Sequence, residues 1–359
     1  MVGPKRVALF DLSLYGRAVG IRYPKPLQPG DLIGVTAPSS GVSDTLRPRL
    51  DFAVEVLHDR GYDVRLGDCL GAPSHVSAPA AERAEELMAM LTDPEVRAVV
   101  PPWGGETAID LVPLLDLDAI AAAEPTWFVG YSDIATLIAP ITLLTGMATL
   151  HGNNLMDTPY EVPKPLLSWL DIAALPAGST FTQASPGVHG HNHWDWTENP
   201  RATEYSLTGT GSWHRLDGDG PVDVTGRLIG GCIETLCNLA GTPYARVATF
   251  AEAHAPEGLL VYAEAAGDDA YTICRNLHGM RLAGFFDAAN AVLLGRTRAP
   301  DTPTLSQYDA ALDALGGLGV PLVADVECGH VPPYLPLVNG ALGRLRLDGR
   351  TGSLTQTLA

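Results

Sequence analysis

The chain has 359 residues, which is enough for two domains with separate hydrophobic cores. Hydrophobic residues make up 46% and charged residues 18%, proportions that are typical of a soluble globular protein. The formal net charge of -18 argues against nucleic acid or an anionic membrane as a main partner, because phosphate groups are bound by clustered lysine and arginine. The short apolar run near the N-terminus is interrupted by Asp11, and no other segment approaches a membrane span. We therefore expect a cytoplasmic protein.

The cysteines are scattered and form no C-x-x-C pair. The five positions are Cys69, Cys232, Cys237, Cys274 and Cys328. This spacing predicts neither a zinc site nor a redox disulfide. We interpret them as free thiols, buried or partly buried, in a reducing compartment.

Strand and helix patterns alternate through the first half of the chain. A buried strand at 32–37 is followed by a helix for which Ser43 or Asp44 is the expected cap. The alternation continues with a strand at 62–66, a helix at 82–91, a strand at 98–100 and a helix at 107–115. This order predicts a parallel sheet with helices on both faces, in which functional residues gather at the carboxyl ends of the strands.

Residues 127–137 predict a tight connection from a strand to a helix. The apolar strand ends at Gly130, the helix begins at about Ile134, and Ser132 lies in the turn between them. This is the arrangement of a nucleophile elbow, which exposes the serine hydroxyl and points the next backbone N–H toward the attacked carbonyl. A serine that only caps the helix explains the turn equally well, since Ile134 stands where the common hydrolase motif has a second glycine.

The alternation lapses from about Pro159. Residues 188–219 are rich in histidine and tryptophan without a regular period, which predicts a long loop or a small hairpin. A glycine-rich turn at 230–231 is expected to precede a helix. Apolar strands follow at 259–263, 291–294 and 321–324, and an edge strand at 344–348.

Two polar residues follow apolar strands in the second half. Glu264 comes directly after the strand at 259–263, and His330 follows the strand at 321–324. A carboxylate in that position is partly buried and needs a hydrogen-bonded partner. Serine, glutamate and histidine in this order are a known arrangement of nucleophile, orienting acid and general base. A salt-bridged core acid and an ordinary loop histidine are the alternative interpretation.

Short motifs also follow one another in a specific order along the chain. They are LQPGD from Leu27, Arg83 with DPEV from Asp93, Gly104-Gly105, GYSD from Gly130, His151-Gly152, Gly230-Gly231, GTPY from Gly241, Glu264, and Gly329-His330. None is diagnostic alone, but the ordered set resembles the serine peptidase family of LD-carboxypeptidases and microcin C immunity proteins. The resemblance extends from Tyr23 to the C-terminus.

The resemblance assigns roles to individual residues. It implies that Ser132 is the nucleophile, that His330 is the general base and that Glu264 orients the imidazole. It assigns the oxyanion hole to the backbone N–H groups of Asp133 and Gly105. It implies a homodimer and neither a metal nor a cofactor.

The resemblance and the strand pattern together predict an α/β fold in two domains. A Rossmann-like parallel-sheet domain is expected at 1–165, followed by a connecting region with an aromatic substrate loop at 166–221. A smaller C-terminal α/β domain with a β-barrel-like sheet is expected at 222–359, carrying the glutamate and histidine of the triad.

The resemblance leaves two substrate classes open. Immunity-type members cleave aminoacyl-nucleotide antibiotics and hold the base against an aromatic residue in a loop between the domains. Trp194, Trp196 and Trp213 occupy that region, and this long aromatic insertion favours the immunity-type branch. A murein LD-carboxypeptidase, the alternative, must bind a free D-amino-acid carboxylate, for which Arg275 is the candidate.

Three positions depart from the family pattern. Trp103 stands where members commonly have arginine, Cys232 where they have asparagine, and Asn153 where they have proline. None of these changes removes a catalytic group, but each bears on which substrate is accepted, and Trp103 is a further candidate for substrate contact.

A metal-dependent hydrolase is a hypothesis of a different class. His189, His191 and His193 alternate, so their side chains share one face of an extended strand, and Asp195 or His214 could supply a third ligand. A solvated polar loop explains this run better, since no second group of ligands is evident.

Overall fold

The computed structural model describes residues 20–190, 195–349 and 351–359 of the chain. Its α-helices are α1 (Arg47–Asp59), α2 (Ala80–Thr92), α3 (Leu117–Ala122), α4 (Ala135–Thr145), α5 (Trp169–Ala173), α6 (Ile233–Leu236), α7 (Val247–His254), α8 (Ala270–Leu282) and α9 (Gln307–Leu315). Its strands are β1 (Leu32–Val35), β2 (Asp63–Leu66), β3 (Val96–Val99), β4 (Trp127–Gly130), β5 (Thr149–His151), β6 (Thr180–Ala184), β7 (Val188–His189), β8 (Gly209–Thr210), β9 (His214–Arg215), β10 (Val222–Cys232), β11 (Leu259–Glu264), β12 (Ala289–Gly295), β13 (Leu322–Val326), β14 (Leu337–Asn339), β15 (Leu342–Leu347) and β16 (Gly352–Thr357).

The first sheet carries the predicted Rossmann-like pattern. Its strand order is β14-β5-β4-β3-β1-β2, and all neighbours among β1 to β5 are parallel. The strand β14, which comes from the far end of the chain, closes one edge in antiparallel pairing with β5. Every residue of β4 is buried, as expected for a central strand that is covered on both faces.

The second sheet has eight strands in the order β6-β16-β15-β10-β11-β12-β13-β9. Its centre, β10 to β13, is parallel, and antiparallel strands flank it on both sides. The two sheets with their helices confirm the predicted α/β class. Among the described strands this sheet has two ends, β6 and β9, so it is open.

The prediction of an edge strand at 344–348 is wrong. The strand β15 is paired with β10 on one side and with β16 on the other. Its residues alternate between buried and exposed because one face of the sheet packs on the core and the other faces solvent.

The glycine pair at 230–231 lies inside β10 and does not form the predicted turn. A side chain on Gly230 would collide with the backbone carbonyl of Tyr262 on the neighbouring strand β11. Gly231 has φ +152°, and a Cβ there would lie 2.7 Å from the Cβ of Ala135 at the start of α4. The missing side chains therefore let α4 pack closely against the second sheet.

Two local predictions in the first half also need correction. Neither Ser43 nor Asp44 caps α1, because residues 43–46 form a separate turn and Leu46 takes the N-cap position without a side-chain bond. The helix expected at 107–115 is a 3-10 helix over Ala108–Leu114. It contains Pro113, whose missing N–H does not support a regular α-helical bond.

The described part of the chain contains no helix that combines the length and the apolar character needed to cross a bilayer. All five cysteines are free thiols, and Cys69, Cys232 and Cys328 are buried. The prediction of buried or partly buried free thiols is therefore confirmed.

Candidate active site

Ser132 lies in a strained turn at the carboxyl end of β4. Its φ of 61° is in the left-handed region, which is uncommon for a residue with a side chain. Gly130 makes the turn sterically possible, since a Cβ there would lie 2.7 Å from Ile134 and 2.8 Å from the Asn154 side chain. The chain continues through a 3-10 turn, Ser132–Ile134, into α4. This strand-turn-helix geometry is that of a nucleophile elbow.

The two residues predicted as partners of Ser132 lie beside it. The Nε2 atom of His330 is 3.0 Å from Ser132 Oγ, and its Nδ1 atom is 2.8 Å from Glu264 Oε2. Ser132 is 198 residues from His330 along the chain, and Glu264 is 66 residues from it, so the contacts depend on the packing of the two sheets. The hydrogen-bonded order serine, histidine, glutamate is suited to proton transfer from the hydroxyl to the imidazole.

The carboxylate of Glu264 is held in a closed pocket. The residue is 0% exposed and is the last residue of β11. Gly295 and Gly329 pack closely against the Glu264 side chain. A Cβ added at Gly295 would lie 2.5 Å from Glu264 Cβ, and a Cβ added at Gly329 would lie 3.3 Å from Glu264 Oε2. A buried carboxylate needs a charged or hydrogen-bonding partner, and His330 provides it. The pocket thereby fixes which way the imidazole faces.

The electrostatic surroundings of His330 favour its protonated form. Burial lowers the pKa of His330, but the adjacent Glu264 carboxylate, with smaller contributions from Glu234 and Asp157, outweighs this effect and leaves the pKa raised. A raised pKa strengthens the imidazole as a proton acceptor toward Ser132.

The predicted oxyanion-hole segment lies against the serine. A Cβ on Gly104 would lie 3.0 Å from Ser132 Oγ and 3.1 Å from the backbone nitrogen of Asp133. Gly105 follows with φ +149°, a conformation that is strained for any other residue. The backbone of the glycine pair can therefore come close to a substrate carbonyl at Ser132, whereas side chains here would fill that space.

The side chain of Asp133 has a positioning role that the sequence did not reveal. Its Oδ2 atom accepts hydrogen bonds from Ser39 Oγ at 2.5 Å and from the backbone nitrogen of Ala108 at 2.7 Å. The Oδ1 atom accepts from Thr136 Oγ1 at 3.2 Å. The buried carboxylate thus ties the elbow to the loops after β1 and β3. Only the backbone of Asp133 entered the prediction, because two of its side-chain partners, Ser39 and Ala108, are 94 and 25 residues away in sequence.

A cleft of about 520 Å³ opens above Ser132 and His330. Its described lining combines the elbow, the glycine pair, the loop after β5 and the aromatic loop. The lining residues are Ser40, Leu46, Trp103, Gly104, Gly105, Glu106, Tyr131, Ser132, Asn154, Asp157, Asp195, Trp196 and His330. Asn154 and Asp157 were missed as site residues, although they follow the carboxyl end of β5, where the strand-end rule would have located them.

Trp103 and Trp196 both line this cleft. The indole of Trp103 is fixed by hydrogen bonds from Nε1 to the backbone oxygens of Ser40 at 3.0 Å and Gly41 at 3.1 Å. The Nε1 atom of Trp196 donates to Tyr160 Oη at 2.7 Å. The guanidinium carbon of Arg49 lies 5.1 Å from the ring centre of Trp196. Each ring is therefore held in place at the cleft.

Two other predicted substrate residues, Trp213 and Arg275, do not line the cleft. Trp213 is 1% exposed, and its Nε1 donates to the buried Glu327 carboxylate at 2.6 Å, so the prediction that it contacts substrate is wrong. Arg275 is exposed on α8 and is not among the residues that line the cleft. Trp194 lies outside the described residues.

Trp213 should instead matter for stability. Trp213→Ala is expected to lower the free energy of unfolding by about 3–5 kcal/mol, because it removes a large core side chain and leaves Glu327 without this donor. Urea unfolding followed by circular dichroism measures this change. Trp196→Ala, which removes a half-buried ring, is the matched control and should cost clearly less. Equal losses in the two variants would contradict the structural role of Trp213.

The histidine run does not assemble a metal site among the described residues. The ring of His189 lies over Gly209 of the β7–β8 hairpin, and His214 Nδ1 lies 3.5 Å from Asp325 Oδ2. His191 and His193 fall outside the described residues. A different group, Cys274, His278 and Asp313, has ligand atoms within 4.8 Å of one another, but its members lie on α8 and α9 and do not line the cleft.

Comparison with known proteins gives the family. Residues 33–152 match the LD-carboxypeptidase N-terminal domain, and residues 225–345 match the LD-carboxypeptidase C-terminal domain. The chain is 28% identical over 342 residues to the microcin C7 self-immunity protein MccF of Escherichia coli, a match that covers 92% of this chain and 95% of that protein. It is 27% identical over 333 residues to a protein of Bacillus subtilis named as a probable murein peptide carboxypeptidase, covering 91% of this chain and 92% of that one.

Solved structures agree with the sequence comparison. The structure of MccF in complex with aspartyl sulfamoyl adenosine has a TM-score of 0.77 and 27% identity, covering 93% of this chain and 98% of that chain. MccF in complex with glutamyl sulfamoyl guanosine gives the same TM-score of 0.77 at 26% identity, with the same coverage of 93% and 98%. The protein therefore belongs to the serine peptidase family of LD-carboxypeptidases and microcin C immunity proteins, whose fold and hydrolase character it shares.

Proposed function

We propose that the protein is a serine hydrolase that cleaves an amide bond in aminoacyl-nucleotide compounds, with Ser132, His330 and Glu264 as its triad. The observation that carries this proposal is the continuous hydrogen-bonded chain from Glu264 through His330 to Ser132, which opens onto a cleft lined by Trp196. The comparison supports it through MccF, whose solved complexes contain aminoacyl sulfamoyl nucleosides.

The reaction proceeds in two stages. Ser132 Oγ attacks the amide carbonyl while His330 Nε2 takes its proton, and the resulting oxyanion is stabilised by the backbone N–H groups of Asp133 and Gly105. The C–N bond then breaks as His330 returns the proton to the leaving nitrogen. A water molecule attacks the acyl-enzyme, again losing its proton to His330, and the free acid leaves as Ser132 regains its hydrogen.

The lining of the cleft favours the nucleotide branch over the carboxypeptidase branch. Trp196 offers an aromatic surface on which a base can stack. A carboxypeptidase must bind a terminal carboxylate, but no described residue that lines the cleft is lysine or arginine. The decisive test incubates the protein with an aminoacyl sulfamoyl adenosine and with a murein tetrapeptide, followed by mass spectrometry. Cleavage of the tetrapeptide alone would replace the proposal with the LD-carboxypeptidase.

Removing the ring of Trp196 should weaken the handling of nucleotide substrates selectively. Trp196→Ala is expected to lower kcat/KM for an aminoacyl sulfamoyl adenosine by about 5- to 150-fold, because base–aromatic stacking contributes about 1–3 kcal/mol. Trp196→Phe, which keeps a ring but loses the N–H, should retain most of the activity. An ester or amide substrate without a base is the control, and its turnover should barely change. Equal activity of the alanine variant on the nucleotide substrate would remove the main support for this branch.

The pH profile should report the environment of His330. The base must be neutral to accept the serine proton, so kcat/KM should fall as the pH drops through the raised pKa of His330, giving an acid limb above the ordinary histidine value of about 6.5. Glu264→Gln removes the charge that raises this pKa, so its weaker activity should have an acid limb at lower pH. The buried His151 does not interfere, because burial lowers its pKa to about 3. An acid limb that does not move in the glutamine variant would contradict the proposed pairing.

The homodimer remains a prediction from the resemblance, and the cytoplasmic location remains a prediction from the sequence. Light scattering of the purified chain measures the first, and fractionation of the producing cells measures the second.

A further inference from the structure

A cysteine, a histidine and an aspartate meet between α8 and α9. Cys274 and His278 are four residues apart on α8, so their side chains lie on the same face of that helix. Asp313 lies on α9 and contacts both of them from the neighbouring helix. The first two residues are partly buried and Asp313 is exposed, so solvent ions can reach the group. Thiol, imidazole and carboxylate are the three kinds of side chain that bind Zn²⁺ in proteins.

The three ligand atoms are already close to the spacing that a metal ion requires. The Oδ2 atom of Asp313 lies 3.3 Å from Cys274 Sγ and 2.9 Å from His278 Nε2, and all three atoms lie within 4.8 Å of one another. Around a tetrahedral Zn²⁺, with bonds of about 2.3 Å to sulfur and about 2.0 Å to nitrogen and oxygen, neighbouring ligand atoms are about 3.3–3.5 Å apart. Small movements of the side chains therefore suffice to enclose an ion.

A metal ion would replace the proton that now joins the thiol to the carboxylate. Burial, with a smaller contribution from Asp313, raises the pKa of the Cys274 thiol, so the thiol is protonated at neutral pH and donates to Asp313. The hydrogen bond from His278 lowers the pKa of the Asp313 carboxyl, which is therefore ionised. When Zn²⁺ binds, the thiol releases its proton to solvent. The thiolate and the carboxylate then neutralise the charge of the ion.

One cation lies beside the group and opposes metal binding. The Nη2 atom of Arg281 is 3.3 Å from His278 Nδ1. When Nε2 binds a metal ion, Nδ1 carries the imidazole hydrogen, and a hydrogen-bond acceptor normally faces it. A guanidinium offers only donors, so Arg281 has to move away as the ion binds. This arginine therefore lowers the affinity, and its replacement provides a test with a definite sign.

We propose that Cys274, His278 and Asp313 form a binding site for Zn²⁺ or a similar transition-metal ion, with a water molecule as the fourth ligand. The ion links α8, which follows the strand that ends in Glu264, to α9, which precedes the strand and loop that lead to His330. An ion that binds only the folded protein stabilises it by mass action. The site is separate from the proposed hydrolysis, because its three residues are not among those that line the cleft.

The experiment titrates the full-length protein with Co²⁺ and Zn²⁺ after treatment with a chelator. Thiolate-bound Co²⁺ gives a charge-transfer absorption, and tetrahedral Co²⁺ gives ligand-field bands in the visible range. Both signals should appear with stoichiometric Co²⁺ and be lost when Zn²⁺, which suits a tetrahedral site with sulfur and nitrogen ligands, displaces it. The midpoint of thermal unfolding should rise by about 3–4 °C when free Zn²⁺ is about 100-fold above its dissociation constant.

Single variants assign the ligands. Cys274→Ser, His278→Gln and Asp313→Asn should each weaken Zn²⁺ binding by more than the factor of about 10–100 that loss of an outer hydrogen-bonding partner costs. Without metal they should unfold at the native temperature, since they replace exposed or partly exposed residues. The matched control is Cys237→Ser, which changes another partly buried free thiol and should bind Zn²⁺ like the native protein. Arg281→Gln should bind about 10-fold more tightly, because it removes the cation and supplies an acceptor.

The outcomes decide the inference independently of the hydrolase. Co²⁺ signals that survive in Cys274→Ser, or that Cys237→Ser removes to the same extent, overturn it. A native protein whose absorption and unfolding temperature respond to neither metal also overturns it. Cleavage of an aminoacyl sulfamoyl adenosine is measured in parallel and should be equal in the native protein and in Cys274→Ser, with or without chelator. Metal binding at the three residues without cleavage supports the metal site and overturns the proposed hydrolase.

Discussion

Ser132→Ala should reduce kcat on an aminoacyl sulfamoyl adenosine on the order of 10⁵-fold, because it removes the hydroxyl that is hydrogen-bonded to His330 Nε2. His330→Ala should cause a loss of similar size, since the serine would keep its proton at neutral pH. The variant with both changes should be hardly worse than either single one, because nucleophile and base act in the same step. The rates are measured by single-turnover kinetics with product quantified by mass spectrometry.

Glu264→Gln should be milder than these two changes and still severe, with kcat lower by about 10³- to 10⁴-fold, since a glutamine does not fix the imidazole tautomer in the same way. The control is Ser212→Ala, which changes an exposed serine outside the cleft lining and should leave kcat unaffected. Losses that multiply in the Ser132/His330 double variant would mean that the two residues serve different steps and would reject the triad.

The sequence predicted well those elements that depend on residue patterns within a short stretch of the chain. The buried strand 127–130 and the start of α4 follow from a short apolar run, a glycine and a helical pattern within a few residues of one another. Elements whose place depends on distant partners were missed. The strand β14 joins the first sheet by pairing with β5, which lies about 190 residues earlier in the chain. The pattern of apolar residues within β14 does not predict which strand it pairs with.

The same distinction applies to the site. Ser132 and His330 follow the ends of strands and Glu264 is the last residue of one, so the strand-end rule identified them as candidates before their contacts were known. The tryptophans of the aromatic loop have no such signal. Trp196 reaches the cleft whereas Trp213 is buried, and the difference arises from Glu327, which is 114 residues from Trp213 and binds its indole N–H. Composition identified the loop but did not separate the two roles.

Gly105→Ala should lower kcat by about 10²- to 10³-fold, the usual effect of losing one oxyanion-hole donor. The backbone at Gly105 has φ +149°, which an alanine rarely adopts. A Cβ there would also collide with the hydroxyl of Ser39 and lie 2.7 Å from the backbone nitrogen of Ser40. The segment must therefore shift, and its N–H would no longer be available to the oxyanion beside Ser132. KM should change much less than kcat, because the lost interaction develops only in the transition state.

The matched control is Gly279→Ala on α8, where an added Cβ meets no heavy atom within 4 Å. Alanine is favoured over glycine inside a helix, so this variant should be stabilised by up to about 1 kcal/mol and keep full activity. Thermal unfolding of both variants distinguishes a local shift from a general loss of structure, since Gly105→Ala should still unfold cooperatively. A folded Gly105→Ala protein with native kcat would show that the glycine pair does not supply an oxyanion donor. The backbone N–H of Asp133 would then need a different second donor to stabilise the oxyanion.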